Sequence, residues 1–128
     1  MARLQIIKDI FRSRKFVESF KLASKGVVYL FLYHRNMRVI FILGVLALTF
    51  GFFLGLKGIE LAVLCITVTL VFTAEIFNTA VELMMDMLTQ EYRVKIRLVK
   101  DIAAAVVLLA SLNSIAVGYI LFFRKLMR

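Results

Sequence analysis

With 128 residues, 62% of them hydrophobic and none of them proline, the chain has room for one domain but carries more apolar surface than a soluble domain of that size can hide. Its net charge of +9, from 17 Lys plus Arg against 8 Asp plus Glu, would suit nucleic acid in a soluble protein. Here the basic residues abut long apolar runs, so anionic membrane lipids are the fitting partner and nucleic acid is set aside.

The composition predicts an all-α membrane protein, with an N-terminal amphipathic surface helix and then three transmembrane helices, forming a single membrane domain over residues 1–128. Residues 1–38 hold nine of the basic residues. Leu4, Ile7 and Phe11, then Phe16, Phe20, Ala23, Val27 and Leu30, recur at three- and four-residue spacings with Arg and Lys between them. That is the pattern of one or two helices lying in the membrane interface. A plain juxtamembrane anchor and a binding element share this pattern. The long basic stretch before the first apolar run, with no small-residue cleavage site after it, does not read as a signal peptide, so the N-terminus is expected to be retained.

Residues 39–56 form a run of 18 without a charge, and residues 102–123 a run of 22. Each is long enough to cross hydrocarbon as a helix. Between them, residues 61–81 are uncharged apart from Glu75, so a middle helix over about residues 61–85 spans a bilayer only if it carries that one acid inside. Lys57-Gly58 is the only punctuation before that helix, which predicts a tight helical hairpin. Cys65, alone in an apolar run, reads as a small buried hydrophobe. Counting positive charges places the N-terminal segment and the connection over residues 89–100 in the cytoplasm, and the Lys57 turn outside. Arg124, Lys125 and Arg128 then fall outside, against the rule.

From Glu75 the polar residues Asn78, Thr79, Glu82 and Asp86 follow at offsets of 3, 4, 7 and 11. At about 100° per residue they fall within roughly 100° of one another, so one stripe of the helix is acidic. An intramembrane carboxylate is costly without partners, so the stripe should face the inside of a bundle. The third span opens with Lys100-Asp101 after a short connection, which should bring these two residues near Glu82 and Asp86. Carboxylates hold hard divalent cations, and Lys neutralises phosphate oxygens. Glu75, deeper, suits a general base for a hydroxyl presented from the lipid phase. Spacing alone fits equally a stripe that only binds helices together. The chain has no GxxxxGK[ST], HRD or Gly-rich phosphate loop.

The segment Glu75-Ile-Phe-Asn78-Thr79-Ala80-Val-Glu82, with Asp86, Glu91-Tyr92 and Val99-Lys100-Asp101 before an Ala-rich helix, resembles the bacterial integral-membrane diacylglycerol kinase and undecaprenol kinase family. Ser19-Phe20-Lys21, Lys25-Gly26 and Arg35-Asn36-x-Arg38 extend the likeness toward the N-terminus. The resemblance implies a homotrimer in the bacterial cytoplasmic membrane with active sites between subunits, facing the cytoplasm. Its chemistry would be transfer of the ATP γ-phosphate, with Mg²⁺, to a lipid alcohol. By matching position, Glu75 would be the catalytic base, and Asn78 and Glu82 would line the site with Glu82 on the metal. Asp86, Lys100 and Asp101 would lie around the nucleotide.

His34 stands where that family usually has a second metal-binding Glu. Imidazole binds Mn²⁺ or Zn²⁺ but is a poor ligand for Mg²⁺, so His34 is either a metal ligand that makes Mn²⁺ possible or a solvated interfacial residue. Arg93 replaces a frequent His, and Ala104-Ala105 a frequent Gly. These departures keep open a non-catalytic scaffold or lipid-binding paralogue of the same fold, beside the lipid kinase. A small proton- or ion-conducting protein would use Glu75 but leave Lys100-Asp101 unexplained. Diacylglycerol and undecaprenol each present one hydroxyl at the interface, and the sequence does not choose between them.

Overall fold

A computed structural model of the chain describes residues 1–5, 16–88, 91 and 93–128. They fall into two compact units, Met1–Arg35 and Asn36–Arg128. In the first, residues 2–5 are helical and α1 runs over Phe16–Tyr33. Phe16, Phe20 and Val27 lie exposed along α1, as an interfacial helix requires. Of the same pattern, Leu4 and Ala23 are also exposed and Leu30 is buried, while Ile7 and Phe11 lie outside the described residues.

The second unit is built from α2 (Arg35–Phe53), α3 (Ile59–Leu88) and α4 (Val94–Leu126), and all three are long and apolar enough to cross a membrane. At about 1.5 Å per residue, α3 and α4 reach roughly 45 and 50 Å, against about 30 Å of hydrocarbon. Their ends therefore project beyond the apolar layer. The apolar runs mark the spans but not the helices: α4 starts eight residues before Ile102, so Arg97, Lys100 and Asp101 are helical rather than part of a loop.

The α2–α3 connection is set by Gly55 before Lys57-Gly58 is reached. Gly55 takes φ +80°, a left-handed conformation in which a side chain would be strained. Its N–H donates to the Phe52 carbonyl at 3.1 Å, and the Leu56 N–H donates to the Gly51 carbonyl at 3.0 Å. This pair of bonds caps the C-terminus of α2. Leu56 is thereby folded back into a core cluster with Leu64 and Leu121, against which Leu48, Leu61, Val68, Val117 and Phe122 pack. The hairpin forecast from Lys57-Gly58 is present, and its turn begins earlier because Gly55 ends α2 at Phe53.

Pairs along α2 and α3 keep one antiparallel register: Asn36 with Glu75, Phe41 with Phe72, and Gly51 with Leu64. Gly51 and Gly44 make room for side chains of α3, since a Cβ at Gly51 would lie 2.7 Å from Leu64 Cδ2 and 2.9 Å from Leu56 Cδ1, and one at Gly44 2.8 Å from Val68 Cγ1. In lipid, where burial of apolar surface no longer drives helices together, such close packing is what holds them. At the same end Phe50 meets Phe122 edge-on at 5.0 Å, bringing α2 to α4.

Two ion pairs set the register of α3 on α4. Glu60 Oε2 lies 3.3 Å from Lys125 Nζ at one end, and Asp86 Oδ1 lies 2.6 Å from Lys100 Nζ at the other. The intervals are 26 residues on α3 and 25 on α4, about 39 and 38 Å of helix, so the two run antiparallel and nearly in step. One sequence expectation is corrected: Cys65 is exposed on the surface of α3. It falls on the same helical face as Thr69 and Thr73, at four-residue intervals, and all three are exposed.

Candidate active site

The apolar core gathers near the α2–α3 turn, and the acidic stripe occupies the other half of α3. Glu75 is 4% exposed, and Ala74, Asn78, Thr79 and Val81 around it are also buried. From Glu75 to Thr79 the stripe thus faces inward, as the cost of an intramembrane carboxylate demands, while Glu82 is half-buried and Asp86 exposed. One partner is supplied by α2: Asn36 Nδ2 donates to Glu75 Oε1 at 3.3 Å. A turn further along, Asn78 Nδ2 donates to Glu82 Oε1 at 3.5 Å.

Asn78 is 9% exposed, and its Oδ1 is a buried acceptor without a hydrogen-bond partner among the described residues. An amide oxygen left this way within the bundle is costly unless something occupies it. Together with the Glu82 carboxylate it offers only oxygen, the donor type that Mg²⁺ prefers. Among the described residues no three His, Cys, Asp or Glu side chains gather as a ready metal cage. The donor set therefore fits a cation that takes a carboxylate or two from protein and the rest from phosphate and water.

At the helix ends Lys100 donates to Asp86 at 2.6 Å, which joins the stripe to α4 as the short connection implied. Asp101 is taken differently. Its Oδ1 lies 3.3 Å from Arg97 Nε, one turn back on α4, and no described contact links it to Glu82 or Asp86. The helical start of α4 is the reason: successive residues diverge by about 100°, so when Lys100 points at α3, Asp101 cannot. Arg93 pairs with Glu91 at 3.6 Å, and both are exposed. Tyr92, the neighbour in that motif, lies outside the described residues, as do Thr89 and Gln90.

His34 belongs to the first unit. It closes α1, its N–H donating to the Leu30 carbonyl at 2.9 Å, and its ring lies 5.9 Å from that of Tyr29, which also meets Tyr33 at 4.9 Å. The contact that sequence reasoning missed as part of the site is Asn36. The signal was available: Asn36 lies 20 residues before Leu56 and Glu75 lies 19 after it, so a tight hairpin centred on Leu56 sets them side by side.

A three-span helical unit with a buried carboxylate, an orphaned amide oxygen, and an acid–lysine pair at the membrane boundary defines a membrane protein equipped for charge chemistry at one surface. Comparison with known proteins agrees with that class. Residues 21–122 match the prokaryotic diacylglycerol kinase family, and the chain belongs to that family of lipid kinases. It is 40% identical over 101 residues to a diacylglycerol kinase of Synechocystis sp., covering 78% of this chain and 58% of that protein. It is 28% identical over 112 residues to an undecaprenol kinase of Bacillus subtilis, covering 88% and 91%. The matched stretch is thus a little over half the length of the Synechocystis protein and nearly all of the Bacillus one.

Proposed function

We propose that this chain transfers the γ-phosphoryl group of ATP to the hydroxyl of a membrane lipid, diacylglycerol or undecaprenol. The observation that carries the reading is the buried Glu75, held by Asn36 beside the orphaned Asn78 Oδ1. Glu75 accepts the proton of the lipid hydroxyl as its oxygen bonds to the γ-phosphorus, and the bond from that phosphorus to the β–γ bridging oxygen breaks to release ADP. Glu82 and Asn78 would hold the divalent cation, Mg²⁺ or Mn²⁺, which would neutralise phosphate charge. Lys100 leaves Asp86 for phosphate oxygens, and Asp86 and Asp101 lie around the nucleotide.

The protein works in the bacterial cytoplasmic membrane with this end toward the cytoplasm, where ATP is available, and residues 1–128 act as one membrane domain. It works as a homotrimer. Asn113 supports self-association: it is exposed on α4, 13 residues from Lys100 and 12 from Lys125, and so about 20 Å from either end pair. An amide at that depth needs a hydrogen-bond partner that lipid tails lack, and a neighbouring helix provides one. The substitution of His34 for Glu favours a second reading, a non-catalytic lipid-binding member of the family.

The test is transfer from radiolabelled ATP to diacylglycerol and to undecaprenol in parallel, by wild type and His34→Glu, with Mg²⁺ and then Mn²⁺. Labelled lipid from the wild type supports the kinase and names its acceptor. Label only with His34→Glu favours the non-catalytic reading, and no label from either, beside an active relative, rejects the kinase.

A further inference from the structure

The end of the bundle opposite the acidic stripe carries four cations that the kinase reading does not use: Lys57 in the α2–α3 turn, and Arg124, Lys125 and Arg128 at the end of α4. The three at the end of α4 are also the residues that run against the positive-inside rule. Lys125 is committed, its Nζ 3.3 Å from Glu60 Oε2 with both side chains largely covered. Lys57, Arg124 and Arg128 are exposed, and none has an acidic partner among the described residues. The Glu60–Lys125 contact ties the start of α3, two residues beyond Lys57, to the end of α4, so the three free cations share one end of the unit.

Depth fixes what they meet. The two end pairs are about 38 Å apart along the helices, more than the roughly 30 Å of hydrocarbon, so each pair lies in a headgroup layer. Rings line the same level: Tyr119 stacks on Phe123 at 5.2 Å with both exposed, and Phe52 and Phe53 are exposed at the end of α2. Of these, Tyr119 marks the boundary, because an amphipathic ring settles where hydrocarbon meets headgroups. Cations just beyond such a collar face lipid phosphates at close range, with no acid of their own to neutralise them.

We infer that Lys57, Arg124 and Arg128 form a second lipid-binding surface, selective for anionic phospholipid headgroups of the leaflet opposite the acidic stripe. Its ligand is not a substrate, and the inference stands apart from the kinase reading. The surface compensates the cost of placing these cations on the side that charge rules disfavour. It also gathers anionic lipid around the turn end of the helices, where the apolar core lies.

The chain has no Trp, so a single one reports on its surroundings without background. In the full chain with Phe123→Trp, reconstituted in mixed vesicles, quenching by brominated phosphatidylglycerol is compared with quenching by brominated phosphatidylcholine. The expected result is a preference for phosphatidylglycerol of about three- to tenfold that weakens with salt. It falls to near parity in Lys57→Gln/Arg124→Gln/Arg128→Gln, and each single change removes part of it. A Leu88→Trp reporter at the other end keeps its own ratio in the triple variant, which separates loss of the surface from loss of the fold. Equal quenching by the two lipids at Phe123→Trp, or a preference that survives the triple substitution, overturns the inference.

Discussion

Lys100 Nζ sits 2.6 Å from Asp86 Oδ1, so the cation best placed for phosphate is held by an acid of the facing helix. Both side chains retain solvent contact, and an ion pair of this kind contributes at most about 1 kcal/mol. Phosphate oxygens can therefore displace Asp86 without a large penalty. Lys100→Gln should lower kcat/KM for ATP by about 10²-fold or more, as loss of one charge-stabilising donor does. Asp86→Asn frees the lysine and should have a much smaller effect. Steady-state kinetics at varied ATP check the ranking; equal losses in the two variants would show that the pair acts only as a unit.

Glu75→Gln keeps an oxygen for the Asn36 amide but removes the proton acceptor. Phosphoryl transfer should fall by about 10²- to 10⁴-fold while helicity and assembly stay as in the wild type. Asn36→Leu leaves Glu75 without its partner on α2 and less well positioned, so kcat should drop by about tenfold with little change in KM for ATP. Asn36→Gln should recover part of it. Single-turnover rates separate these outcomes from altered nucleotide binding, and an Asn36→Leu enzyme as fast as wild type would remove Asn36 from the site.

The contrast between Glu75 and Asp101 shows how much of this was legible in the sequence. The stripe from Glu75 to Asp86 followed from helical periodicity, and the burial of Glu75 followed from the cost of an acid in hydrocarbon. Asn36 was within reach once the hairpin was centred on Leu56. Asp101 was not, because the charged stretch before Ile102 looked like a loop able to aim both Lys100 and Asp101 at α3. Extension of α4 to Val94 makes them diverge, and Arg97 takes the acid. Cys65 was read as buried because apolar runs in a membrane helix do not distinguish the packed face from the lipid face.

Metal dependence should follow Glu82 and His34. Removing the Glu82 carboxylate with Glu82→Gln should raise the Mg²⁺ concentration for half-maximal activity by about tenfold or more, since Mg²⁺ relies on one or two protein carboxylates. His34→Glu should move the requirement the other way and narrow any advantage of Mn²⁺. Titration of activity with each cation at saturating ATP reads both shifts. An unchanged Mg²⁺ curve in Glu82→Gln would take that residue off the metal.

Asn113 tests the self-association in the functional proposal. Asn113→Leu removes the amide from the α4 surface at mid-depth and should weaken association by about 0.6–2 kcal/mol, the range for hydrogen bonds between membrane helices. Asn113→Gln should retain most of it. Crosslinking across a detergent dilution series measures the shift toward monomer. If Asn113→Leu associates as the wild type does, the polar partner lies elsewhere, and the Thr69–Thr73 face of α3 becomes the next surface to substitute.

Gly51 tests the other end of the unit. Leu56 Cδ1 and Leu64 Cδ2 stand where a Cβ would force them to move, and both are ends of flexible side chains, so Gly51→Ala should be tolerated. Gly51→Leu adds more volume than they can yield and should cost about 1–3 kcal/mol, typical of overpacking. Because this core cluster lies at the far end of α3 from Glu82 and Asp86, the loss should appear in thermal stability before it appears in ATP affinity. Unfolding followed by circular dichroism, with nucleotide binding measured on the same samples, distinguishes the two. A Gly51→Leu protein of wild-type stability would mean that α2 and α3 do not depend on this close approach.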